Sequence, residues 1–185
     1  MTASGPDRTI GGGVIWITGE RGAGKSTAAA ALAAQMRLRG VSTVVLDGDV
    51  IRSALDPEGR LAHLPRRQVA EMHVRVARLI HAQGQLVIVA TVSGFHDVQR
   101  GNRETIQPYV EIYLRTTRAE AVRRTADRPV SGGDAAQEVT FESPIAPDLT
   151  LDDTFDARRA SDATWLCEQV LKRLAMKPPT PGAHT

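Results

Sequence analysis

Lysine is almost absent from this chain. Its 185 residues hold 20 arginines but 3 lysines, and Lys25 is the only lysine before position 172. We read the arginine bias as a matter of lineage, with some guanidinium groups reserved for anions. Net charge is small too: a formal +2, despite a sequence pI of about 9.0, is weak evidence for a polyanionic partner, so no nucleic acid is expected. Cysteine occurs once, at Cys167, which excludes an internal disulfide and fits a reducing cytoplasm. That cysteine and the five histidines show no zinc-ligand spacing. No apolar run approaches the ~20 residues of a membrane span, so no membrane partner is expected. The opening "MTASGPDRTIGGG" lacks the basic start and apolar run of a secretory leader. There are no internal repeats.

What is present has the balance of a soluble globular domain, 42% apolar and 24% charged, on a chain long enough to bury one core. Strand and helix patterns alternate. "VIWIT" (14–18) is a short β-branched run, followed by an alanine-rich helix over 25–39 that Gly40 stops. "VSTVVLD" (41–47) is a second strand. Val69, Met72, Val76, Leu79 and Ile80 repeat at helical spacing within 65–83. "LVIVATV" (86–92) has no polar alternation, as expected of a strand buried on both faces. A helix over 97–107, a strand over 110–114, a short helix over 118–126, a last strand at 149–151 and a helix over 160–174 complete the pattern. The expected fold is α/β, a five-stranded parallel sheet with helices on both faces. Residues 1–12 read as a flexible start, 13–174 as the domain and 175–185 as a disordered tail. Residues 127–148 lose periodicity and read as a lid that would exclude water from the site, the alternative being a disordered loop with no gating role.

Residues 19–27, "GERGAGKST", carry the most specific signal: G-x-x-x-x-G-K-S between a predicted strand and a predicted helix. Glycines let backbone N–H groups wrap an anion, and the helix that starts at Lys25 adds a positive dipole end. Lys25 is placed to reach the β- and γ-phosphates and Ser26 to ligate Mg²⁺. Gly19, Arg21, Gly22, Ala23, Gly24, Lys25, Ser26 and Thr27 are therefore the candidate contacts for a nucleoside triphosphate held with magnesium.

Ligands of open parallel sheets bind at the carboxyl ends of the strands. The second strand ends in "LDGDVIR", with Asp47 and Asp49 flanking a glycine and Arg52 three residues on. One carboxylate can help hold the metal while the other takes a proton from an incoming hydroxyl. Arg52 can clamp an anionic acceptor. The alternative is a turn with two solvated aspartates. The third strand runs into "VIVATVSGFH" and lacks the terminal aspartate of a switch or motor ATPase, which favours small-molecule phosphoryl transfer.

From about residue 13 to 174 the chain resembles the adenylylsulfate kinases, within the nucleotide-kinase-like P-loop proteins. The resemblance rests on "GERGAGKST", "VLDGDVIRSAL", "LVIVATVSGFHDVQRGNRETI", "VEIYLRTTRAEAVRRTADR" and "SPIAPDLTLDD", in that order. It implies phosphorylation of a hydroxyl by MgATP, with Lys25 on the phosphates, Asp49 as general base and Asp47 beside the metal. Arg52 matches the family's acceptor-binding arginine and Arg124 an arginine on the approach to the lid, near ATP. Family members are usually cytoplasmic dimers, so a homodimer is expected.

The departures fall on the acceptor side. The family's two aromatic residues around the acceptor base map on or near Leu61 and Val139. Its "R-x-x-N-I-R-R" segment keeps Arg66 but has Val69, Glu71 and Met72 in place of the asparagine and the two later arginines. Its serine–proline–tyrosine–arginine becomes Ser93, Gly94, Phe95 and His96, and its lysine-rich lid becomes "RPVSGGDAAQEV". The ATP half of the site is kept and the acceptor half rewritten. The expected acceptor is a hydroxyl compound other than adenylylsulfate, of nucleoside, nucleotide or sugar type. The alternatives are a true adenylylsulfate kinase with a divergent pocket, or a non-catalytic nucleotide-binding module. Arg66 and His73 share a helical face that either lines the acceptor cleft or does not. Ser93 either bonds acceptor or caps the next helix, and His96 lies at the same edge. Arg67, Glu71, Arg75 and Arg78 read as a solvated face with a Glu71–Arg75 pair.

Overall fold

The computed structural model describes residues 12–55, 65–125 and 141–176. Strand β1 (Gly13–Gly19) is buried along its whole length, and its apolar residues divide by parity between the two faces of a sheet. Val14 and Trp16 join one core cluster while Ile15 and Ile17 join the other. Around β1 the chain lays α1 (Lys25–Leu38), β2 (Thr43–Asp47), α2 (Gly48–Leu55), α3 (Arg66–His81), β3 (Leu86–Ala90), α4 (His96–Thr105), β4 (Tyr109–Leu114), α5 (Arg118–Thr125), β5 (Leu149–Leu151) and α6 (Ala160–Met176). The five strands are all parallel, in the order β2-β3-β1-β4-β5.

Helices cover both faces, as the sequence implies. Ala28, Ala29, Leu32, Ala33 and Met36 of α1 pack with Leu166, Cys167, Val170 and Leu174 of α6 against Ile15, Ile17, Ile88 and Ile112. On the other face Ala77, Met72, Val76 and Ile80 of α3, with Ile51 of α2, pack on Val14, Trp16, Val87, Val89 and Tyr109. Trp16 is fully buried, whereas Trp165 keeps 44% of its surface exposed. The chain passes from β1 to β2 in one direction and returns past β1 to β4. The order therefore reverses beside β1, and the crevice at its carboxyl end receives the loops after β1, β2 and β3.

Several bounds differ from those the sequence suggests, β3 ending at Ala90 and α4 at Thr105 among them. Residues 48–55, which the sequence pattern leaves without an element, form α2. Residues 175 and 176, assigned to the tail, finish α6. Strand β2 starts at Thr43 rather than 41. The expected flexible start up to residue 11, the acceptor positions around Leu61 and Val139, the lid as far as residue 140, and the tail from 177 lie outside the described residues. Among the described residues no helix is long and apolar enough to cross a membrane.

Candidate active site

The loop after β1 has a backbone only glycine adopts comfortably at two points: Gly22 at φ 82° and Gly24 at φ 91°. A Cβ on Gly19 would stand 2.5 Å from the Leu114 carbonyl oxygen, so the loop also leaves the sheet through a gap that admits no side chain. Gly24 caps α1 without a side-chain bond, and the first turn of α1 contains no acid. The positive end of the helix dipole is thus uncompensated by side chains and faces the loop. Lys25 Nζ folds back on the Glu20 carbonyl oxygen at 2.7 Å. These features fit a polyphosphate cradle. Ser26 and Thr27 follow on the exposed first turn, where Ser26 is available to a divalent cation.

Asp47 ends β2 and its Oδ1 accepts the Asp49 N–H at 3.0 Å, closing a tight turn through Gly48. Asp49 Oδ1 lies 3.9 Å from Arg52 Nη2, one turn of α2 away. Lys25, Asp47 and Asp49 belong to one electrostatic neighbourhood. Burial lowers the Lys25 ammonium to about 8, against the pull of Asp49 and Asp47, which favour its charge. The phosphate loop and the Asp-Gly-Asp turn, 22 residues apart between Lys25 and Asp47, are thus brought to the same edge of the sheet. An ammonium and a hydroxyl after β1 and two carboxylates at the end of β2, with β3 between the two strands, can hold a metal–triphosphate and take a proton beside it.

His73 on α3 is buried, and its Nδ1 lies 3.0 Å from Thr91 Oγ1 just past β3. Burial, then the Arg52 charge, lower its pKa to about 4, so the imidazole is neutral. It points to the sheet edge under Gly48. Arg66 is half-buried in the first turn of α3. Glu71 pairs with Arg67 at 3.5 Å, where the sequence reading had put Arg75, and Arg67 also reaches Asp97 and stands 5.8 Å from the Phe95 ring centre.

The loop of Ser93, Gly94, Phe95 and His96 is not open in the way the sequence suggested. Ser93 is fully buried and does not cap α4, whose cap position is Phe95 with no side-chain bond. The segment after the lid crosses over this loop. Glu142 N donates to Gly94 O at 3.1 Å, His96 N donates to Glu142 Oε2 at 2.6 Å, and His96 Nε2 meets Ser143 O at 2.8 Å. Phe141 rests on Gly94 and stacks on Tyr113 at 6.0 Å. His96 is thus a clamp for residues 142 and 143. This staple links residues 46 to 47 apart in sequence, so no local pattern could have revealed it.

Arg124 is held by Glu120 at 2.6 Å and lies 3.7 Å from Asp153 Oδ1, while Asp153 also accepts from Thr116 Oγ1 at 2.7 Å. Glu120 and Asp153 were not singled out in the sequence; the i,i+4 spacing of Glu120 and Arg124 was the available signal. Among the described residues no cluster of three or more His, Cys, Asp or Glu could hold a metal by itself. A cation here would draw on Ser26, Asp47 and the nucleotide, which is the usual economy for Mg²⁺.

Residues 11–130 match the family model described as adenylylsulphate kinase. The cytidine diphosphoramidate kinase of Campylobacter jejuni is 33% identical over 60% of this chain, and the match spans less than two thirds (65%) of that enzyme's length. The adenylyl-sulfate kinase of Paraburkholderia xenovorans is 36% identical over 76% of this chain and 83% of its own. Among solved structures, the APS kinase of Mycobacterium tuberculosis in complex with AMPPNP and APS superposes with a TM-score of 0.69 at 25% identity, covering 87% of this chain and 98% of that one.

Proposed function

The chain belongs to the adenylylsulphate kinase family, and from that premise we propose that it is a kinase that moves the γ-phosphate of ATP to a hydroxyl of a nucleotide-type acceptor. The observation that carries this reading is that the phosphate loop after β1 and the Asp47–Asp49 turn after β2 lie at the carboxyl edge of one parallel sheet. In it, the loop from Gly19 to Thr27 binds the phosphates through backbone N–H groups, and Lys25 moves from the Glu20 carbonyl to the β- and γ-phosphates. Ser26 and Asp47 would hold Mg²⁺. That ion supplies charge neutralisation at the phosphates when bound. Asp49 takes the hydroxyl proton as the acceptor approaches. Arg52, freed from Asp49, orients an anionic group of the acceptor, and Arg66 faces the same cleft. Arg124 leaves Glu120 to stabilise the transferring phosphoryl group. Residues 13–174 form the catalytic unit, assembled as a homodimer in the cytoplasm.

The acceptor of first choice is a nucleotide other than adenylylsulfate. Glu71 faces Arg67 where the family places an arginine, and Gly94 and His96 are taken up by residues 141–143. The 33% identity to a cytidine diphosphoramidate kinase supports a second nucleotide chemistry. Adenylylsulfate itself is the second reading, favoured by the family match and the 36% identity to an adenylyl-sulfate kinase. Initial rates of ADP formation with adenylylsulfate and with cytidine diphosphoramidate decide between them. Ordinary efficiency with adenylylsulfate overturns the first choice.

A further inference from the structure

The strongest unassigned feature lies directly beneath the Asp-Gly-Asp turn. The Gly48 Cα faces a platform of three groups. A Cβ built there would stand 3.1 Å from Thr91 Oγ1, 3.2 Å from His73 Cε1 and 3.4 Å from the Ala90 carbonyl oxygen. Two of those groups are joined to each other, Thr91 Oγ1 to His73 Nδ1 at 3.0 Å. Thr91 N in turn donates to Ile17 O of β1 at 3.1 Å, two residues before the phosphate loop begins at Gly19. The ring is 1% exposed, and its Nε2 finds no partner among the described residues, so a single bond and close packing fix it. A continuous path therefore runs from the strand that carries the phosphate loop, through Thr91 and His73, to the glycine between the two carboxylates.

We propose that His73, bonded to Thr91, is a positioning residue that sets the height of the Asp47–Gly48–Asp49 turn and hence the distance between Asp49 and the phosphates held at Lys25. The inference deepens the kinase reading and rests on Asp49 as the base. The imidazole and hydroxyl leave little room for even a Cβ at Gly48, so they form the floor on which the turn lies. Catalysis is steep in such distances: displacements near 1 Å cost on the order of 10²-fold in rate. ATP affinity, set by the loop after β1, does not depend on the platform.

The test uses the full chain as wild type, His73→Val, His73→Asn and Thr91→Val. MgATP affinity is read by calorimetry, transfer to adenylylsulfate and to cytidine diphosphoramidate by ADP release, and the turn by the amide resonances of Gly48 and Asp49. His73→Val and Thr91→Val are expected to move both resonances and to lower kcat roughly tenfold or more while MgATP affinity stays within about twofold. His73→Asn, whose amide reaches the Thr91 hydroxyl, is expected to recover most of the lost rate. Thr91→Val is nearly isosteric and guards against a misfolded His73→Val. Unmoved resonances in the folded variants overturn the proposal, as does MgATP affinity that falls in step with kcat, or His73→Asn no better than His73→Val. If wild type uses neither acceptor, the kinase reading has failed on those acceptors and the resonances alone decide the role of His73. An Asp49→Asn variant that keeps full turnover removes the base assignment instead, and the position of the turn is still judged by the resonances.

Discussion

The proposed reaction gives Lys25 and Asp49 separable tasks, and single substitutions distinguish them. Lys25→Ala removes the ammonium proposed to meet the phosphates, so calorimetry with MgATP should show affinity reduced along with turnover. Asp49→Asn keeps the shape of the turn, because the Asp49 N–H still donates to Asp47. It should leave MgATP binding nearly intact and lower kcat by roughly 10²–10⁴-fold. His73 sets a third expectation, on stability. Its folded pKa is about 4 against 6.5 for a free histidine. Between those values the unfolded chain binds the extra proton, so stability is full above about pH 6.5 and falls as pH drops towards 4. The loss from this group is on the order of 3 kcal/mol. Urea titrations of wild type and His73→Val across that window should show the steeper fall in wild type; parallel curves contradict a buried neutral imidazole. The phosphate loop was legible at this scale because its residues are contiguous. The occupation of His96 by Glu142 and Ser143 was not, since the partners lie more than forty residues away.

Among elements, the strands and long helices were readable because burial on two faces or one imposes an apolar pattern on the chain itself. The run from Leu86 to Ala90 is buried at every position, and the sequence there is apolar at every position. Helix α2 escaped because it is 8 residues long and opens on Gly48 and Asp49, which read equally well as a turn. The segment after the lid escaped because its anchor is tertiary. Gly94 is the point of closest approach: an added Cβ would overlap the Phe141 ring and stand 2.9 Å from the Glu142 amide nitrogen. Gly94→Ala should therefore destabilise the chain by about 1–3 kcal/mol, read as a lower urea midpoint. Adding Phe141→Ala should return only part of it, because the Glu142 backbone remains in the way. A neutral Gly94→Ala contradicts the staple. A second anchor lies nearby, where Arg103 joins buried Glu111 at 3.2 Å and Asp148 at 3.1 Å, tying α4 to β4 and to the start of β5.

For the whole molecule, fold and chemistry separate cleanly. The parallel order β2-β3-β1-β4-β5 brings three loops to one edge, and two of them, after β1 and β2, carry the residues proposed for phosphoryl transfer. The third carries the acceptor question, and there the chain departs most from its family. That asymmetry explains why the reaction class could be read from the sequence while the acceptor could not. Phosphate binding uses backbone and a few invariant side-chain chemistries, whereas acceptor choice depends on packing between segments far apart in the chain. The most direct test follows phosphorus itself: ³¹P NMR of the full chain with MgATP and, in separate samples, adenylylsulfate and cytidine diphosphoramidate. The result expected is loss of the ATP γ-resonance with ADP and a new phosphomonoester appearing in equal amounts in at least one sample. ATP left intact in both, or split to ADP and inorganic phosphate with no ester formed, would contradict transfer to a nucleotide hydroxyl.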